Sequence, residues 1–108
     1  MSTEMSTNNI ADPFSIEIVQ ELIIEECNAV KNLLIEKNKS YGNSAIVPKR
    51  IFSRSSPVEQ IRVRIDDKLS RLSSSHTSIS ESIASEDTIK DLLGYLILLR
   101  VAERLYST

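Results

Sequence analysis

The chain has 108 residues, with 13 Lys and Arg against 15 Asp and Glu, one His, one Cys and 41% apolar residues. That length allows one domain, burying roughly two-thirds of the surface its unfolded chain exposes. A net charge of −2 gives no general attraction to nucleic acid or an anionic membrane, a lone cysteine excludes an internal disulfide, and one histidine excludes a Cys/His zinc cluster, so phosphate chemistry would need a local set of charged groups.

Residues 1–11, rich in Ser, Thr and Asn, read as a disordered tail ahead of one domain over 12–108. The opening "MSTEMSTNNIAD" lacks the apolar segment of a secretory signal, which points to a cytoplasmic protein. Asp12-Pro13 resembles a helix cap followed by proline at the first helical position. Ile16, Val19, Ile23, Val30, Leu33 and Leu34 then recur at helical spacing, giving an amphipathic helix to about Asn38. Cys27 lies beside this stripe and reads as a buried structural thiol. Glu26 falls within the stripe, where a carboxylate either reaches water at its edge or meets a cation.

The helix stops in a polar knot, "EKNKSYGNSA", richer in Lys, Asn and Tyr than a simple helix ending requires. A connection from about Lys39 to Ser55 follows, long for a compact helical protein and carrying Lys49, Arg50 and Arg54. Within it "SAIVPKRIF" has the composition of a short extended piece.

A second helix opens at "SPVE": Ser56 caps, Pro57 takes the first helical position, and Glu59 is placed to complete a capping box. Val58, Ile61, Ile65, Leu69 and Leu72 form its apolar face, while Arg64, Asp67, Lys68 and Arg71 share another. "SSSHTSISESIAS" reads as a Ser-rich loop holding a solvated His76.

The third helix is expected from about Ser85 to Tyr106, with Glu86 and Asp87 in the first turn, where the helix dipole favours acids. Its apolar run, "LLGYLILL", is too short to span a bilayer. The helix is apolar nearly all round, so part of its surface calls for another subunit. Gly94 in its interior costs about 1 kcal/mol against alanine, which implies a close approach to the backbone there.

Only two glycines exclude a glycine-rich phosphate loop, and neither a Ser-His-Asp set nor an aromatic nucleic-acid platform is present. What remains is oxygen ligands beside basic groups. Asp87, Asp91 and Gly94 share one helical face, and Asp67 stands on the preceding helix. Carboxylates supplied by two helices suit Mg²⁺ or Mn²⁺, which keep waters and substrate phosphates as further ligands. The plainer reading makes Asp87 a first-turn acid and Asp67 a salt-bridge partner of Arg64 or Arg71.

"KNKSYGNS", "IRVRIDDKLSRL" and "EDTIKDLLGYLILL", in this order, resemble the phage and bacterial nucleotide-modification-associated (MazZ-like) branch of the all-α nucleoside triphosphate pyrophosphohydrolases, the MazG-like superfamily. The resemblance covers about Ile23 to Glu103. It implies an all-α fold of three main antiparallel helices, assembling as a homodimer or homotetramer around four-helix bundles. It also implies Mg²⁺- or Mn²⁺-dependent cleavage of a nucleoside triphosphate, a purine deoxynucleotide such as dGTP first among them, to the monophosphate and pyrophosphate. Metal and catalytic roles then fall to Asp67, Asp87 and Asp91, with Glu26 or Glu36 as a source of a further oxygen. Lys37, Asn38, Tyr41, Gly42 and Asn43 would wall the nucleotide pocket, with Arg64, Lys68 and Arg71 as fixed positive charge. The family acid before Tyr-Gly is Ser40 here, and Asp67 is followed three residues later by Ser70 where the superfamily repeats an acid. An alternative therefore stands: a helical oligomer that binds a nucleotide without turning it over.

Overall fold

A computed structural model describes residues 12–74 and 79–107, with side chains described up to 74 and from 86 onward. Among the described residues three helices make the fold: α1 (Ile16–Tyr41), α2 (Pro57–Ser73) and α3 (Ile79–Tyr106). The all-α expectation holds, and no strand occurs among the described residues, "SAIVPKRIF" included. No helix among them is long and apolar enough to cross a membrane. The expected tail over 1–11 and His76 lie outside the described residues.

The helix ends follow from local hydrogen-bond chemistry. Ser15, not Asp12, caps α1, its hydroxyl accepting from the Ile18 N–H at 3.2 Å. Asp12 instead closes a turn just before the helix, its side chain accepting from the Phe14 N–H at 2.9 Å. The Ser56 hydroxyl accepts from the Glu59 N–H at 3.1 Å, as "SPVE" predicts. The other half of that capping box does not form. Glu59 takes a hydrogen bond from Arg62 at 2.6 Å, which raises the Arg62 pKa above its ordinary value.

The third helix starts at Ile79, six positions before the expected Ser85. Glu86 and Asp87 therefore lie well inside α3, beyond the reach of its dipole, and the first-turn account of Asp87 does not apply.

Helix α3 is the common partner. Helix α2 runs antiparallel along it, with Arg62 facing Glu103 at 4.0 Å and Lys68 facing Asp91 at 3.4 Å. Their seam is the core: Ile61 is 2% exposed and Ala102 fully buried, joined by Ile46 from the connection and flanked by Val58, Ile65, Leu98 and Leu99. Helix α1 meets α3 over a shorter contact, and no Cα of α1 comes within 8 Å of one in α2. At that contact a Cβ on Gly94 would stand 3.2 Å from Leu34 Cδ2. The close approach implied by a glycine inside a helix is that of α1.

One half of α1 is covered and the other is not. Val30 is buried and Leu34 partly so, whereas Ile16, Val19 and Ile23, on the same stripe, are exposed. Cys27 shares the uncovered part and is exposed, which corrects the expectation of a buried thiol. On α3, Ile89, Leu93, Leu96, Ile97, Val101 and Leu105 are likewise uncovered.

Candidate functional site

The polar knot is a built structure. Helix α1 ends at Gly42, whose φ of 66° and ψ of −150° lie in a region that L side chains avoid. No atom lies within 4 Å of a Cβ placed there, so the glycine is required by its backbone alone. One helical turn earlier, the Asn38 amide nitrogen donates both to the Gly42 carbonyl at 3.2 Å and to Asn43 Oδ1 at 2.8 Å. The Asn43 carbonyl accepts from the Ile46 and Val47 N–H groups. The Ile46 carbonyl accepts from the Tyr106 hydroxyl at 2.6 Å. These links fix the chain's exit from α1 against the last turn of α3.

Between the knot and α3 lies a cavity of about 150 Å³, lined by Lys37, Asn38, Tyr41, Gly42 and Asn43 on one side and Lys90, Asp91, Gly94 and Tyr95 on the other. That is roughly ten times the space a single water needs. All five knot residues expected to wall a pocket are in it. Their roles differ, however. Asn38 has committed both N–H donors to the knot and can offer a ligand only its oxygen, whereas the Asn43 nitrogen has no partner within the described chain.

An adjoining cleft of about 490 Å³ is lined by Ala29, Leu33, Lys37, Asp87, Lys90 and Asp91. Asp87 and Asp91, one helical turn apart, share it, and Asp91 belongs to both spaces. The side chain of Lys68 is only 13% exposed, and its ammonium sits 3.4 Å from Asp91. It also lies 5.9 Å from the centre of the Tyr95 ring, with Arg64 on the same ring at 6.0 Å.

Asp67 is elsewhere. It pairs with Arg71 at 3.3 Å on the solvent side of α2, with 54% of its side chain exposed. Lys68 occupies the place opposite Asp91 that the spacing had suggested for Asp67. Glu26 is exposed on α1 and lines neither space. Among the described residues, no three His, Cys, Asp or Glu side chains gather as a metal site.

Two contributors escaped the sequence reading. Tyr95 follows Asp91 by four residues and so shares its helical face, a placement the spacing already contained. Lys90 lines both spaces without any such signal. The orientation of Lys68 was also available, because Ile61, Ile65, Lys68 and Leu72 recur at heptad-like spacing and put this lysine on the seam with α3. No family model, curated protein or solved structure matches the chain.

Proposed function

We propose that this protein binds a nucleoside triphosphate between the knot and α3 and hydrolyses it, with Mg²⁺ or Mn²⁺, to the monophosphate and pyrophosphate. One observation supports this above the others: the knot shares a single cavity with Lys37, Lys90 and Asp91, so an aromatic and amide surface adjoins both a carboxylate and two cations.

A divalent ion fits the donors in part. Mg²⁺ is commonly held by one or two carboxylates, with waters and substrate phosphates completing its shell. Asp87 and Asp91 provide such a pair in one cleft. They would hold the ion, which when bound supplies neutralising charge to the phosphate oxygens. The described arrangement brings neither Asp67 nor Glu26 to that cleft, and the proposal does not use them.

The chain's own groups do the rest. Tyr41 and Asn43 receive base or sugar, and Gly42 sets the turn that presents them. Lys37 and Lys90 attract the α-phosphate and stabilise the negative charge that builds on it as water attacks. Attack by water at the α-phosphorus breaks the bond to the bridging oxygen, which departs with the pyrophosphate. Lys68 holds Asp91 in the meantime, so any cation arriving there competes with an ammonium already in place. A purine deoxynucleotide such as dGTP is the first substrate to test, on the sequence resemblance alone. The same resemblance supports a cytoplasmic enzyme of phage nucleotide metabolism or genome modification.

The uncovered stripes of α1 and α3 favour assembly with further copies of the chain, as a homodimer or homotetramer. A second reading, nucleotide binding without turnover, is favoured by the Lys68–Asp91 pair and by Ser40 in place of the family acid. Pyrophosphate release from a panel of NTPs and dNTPs with Mg²⁺ or Mn²⁺ decides between the two. Release supports hydrolysis; tight binding without product selects sequestration.

A further inference from the structure

On the far side of Tyr95 lies a second cavity of about 410 Å³, lined by Ser44, Ala45, Pro48, Lys49, Gln60, Ile61, Arg64 and Tyr95. It borders the knot cavity directly, since Ser44, Ala45 and Tyr95 line both. Its chemistry is different. Two cations face it and no carboxylate does. Neither Lys49 nor Arg64 takes part in any ion pair among the described residues, whereas Lys68 next door is matched by Asp91.

Two elements hold the lining in place. Gln60 donates to the Ser55 carbonyl at 3.1 Å, which anchors the end of the connection to α2. The Arg64 guanidinium is kept over the Tyr95 ring, 6.0 Å from its centre. Two cations with no carboxylate partner beside one polar hollow draw anions toward it. An arginine fork beside a lysine point charge is the donor set that suits phosphoryl oxygens.

We infer that this second cavity is an anion subsite for a diphosphate group, with Lys49 and Arg64 as its ligands and Tyr95 as the partition from the knot cavity. The inference rests on the nucleotide reading for its biological meaning: the two terminal phosphates of a nucleotide held at the knot would reach past Tyr95, and released pyrophosphate would occupy the same place. A diphosphate carries more charge and more acceptor oxygens than a single orthophosphate, so it can meet both cations at once.

The test is titration calorimetry on the intact protein in excess chelator, with inorganic pyrophosphate, orthophosphate and deoxyguanosine as separate probes. The chelator keeps Asp87 and Asp91 from contributing through a metal. Pyrophosphate is expected to bind more tightly than orthophosphate. Lys49→Ala and Arg64→Gln are each expected to weaken pyrophosphate by about tenfold, the loss of one charge-assisted hydrogen bond, and to leave deoxyguanosine unchanged. Both side chains are exposed, and unchanged circular dichroism would show that the fold is kept. No pyrophosphate binding by the wild type, or equal binding by both variants, overturns the subsite. Should pyrophosphate behave as expected while no nucleoside triphosphate binds or is cleaved, the subsite stands and the hydrolase reading falls.

Discussion

The Tyr106 hydroxyl, on the last turn of α3, donates to the Ile46 carbonyl at 2.6 Å across 60 positions of sequence. Ile46 is itself bound back to Asn43, so this bond ties the knot to the far end of the longest helix. Tyr106→Phe removes the donor and leaves a part-buried carbonyl unpaired, at a cost of about 1–2 kcal/mol. Urea denaturation is expected to read that loss, together with weaker thermal stabilisation by nucleotide. Unchanged values for both would make the bond incidental.

Gly42 tests the knot from the other end. Its backbone angles cost an L residue about 1–3 kcal/mol, with no steric clash to add. Gly42→Ala is therefore expected to lose stability in that range. Gly42→Asn should not rescue it, because ψ near −150° lies outside the left-handed helical region that asparagine tolerates. Full stability of either variant in chemical denaturation would show that the turn relaxes freely.

Gly94 sets two effects against each other. Alanine gains about 1 kcal/mol of helix propensity, but its Cβ meets the Leu34 methyl at 3.2 Å. That methyl ends a side chain and needs to give only a few tenths of an ångström. Gly94→Ala should thus be close to neutral, while Gly94→Val should cost about 1–3 kcal/mol by overpacking the contact with α1. A valine variant as stable as wild type would mean that α1 does not seat there.

Asp91 and Asp67 separate chemistry from structure. Asp91→Asn is expected to abolish metal-dependent pyrophosphate release while helix content by circular dichroism is kept. Asp67→Asn breaks only an exposed pair and should change stability by no more than about 0.5 kcal/mol. Turnover in the Asp91 variant matching wild type would remove that residue from the site.

Much of this arrangement was legible in the sequence. Ser56-Pro57 marked the start of α2, and Gly94 announced a close contact because a helix interior tolerates glycine only for a reason. The start of α3 was hidden because Ser78 to Ser85 has loop-like composition, although Ile79 and Ile83 already stand one turn apart. Serine is a middling helix former, and helical context overrides it. Asp67 was misplaced for a different reason. Four charges grouped on one face do not tell which of them points at a neighbour, and the apolar seam through Ile61 and Ile65 selects Lys68. Helical spacing also cannot place the knot residues against α3, since that depends on a path through the 42–56 connection.

The open stripe gives a further expectation. Analytical ultracentrifugation should find a dimer or tetramer, and Ile97→Lys, which puts a charge on the uncovered side of α3, should shift it toward smaller species. A wild-type monomer at micromolar concentration would exclude the assembly.

The exposed start of α1 has a consequence for the chain's own conformation. From Ile16 to about Cys27 the helix carries no buried side chain, and an isolated helix of that length is marginal in water. In the proposed assembly its order would be governed by mass action. On dilution these turns should fray first, losing ellipticity and gaining amide exchange while the α2/α3 hairpin stays folded, so that helicity itself becomes a function of protein concentration.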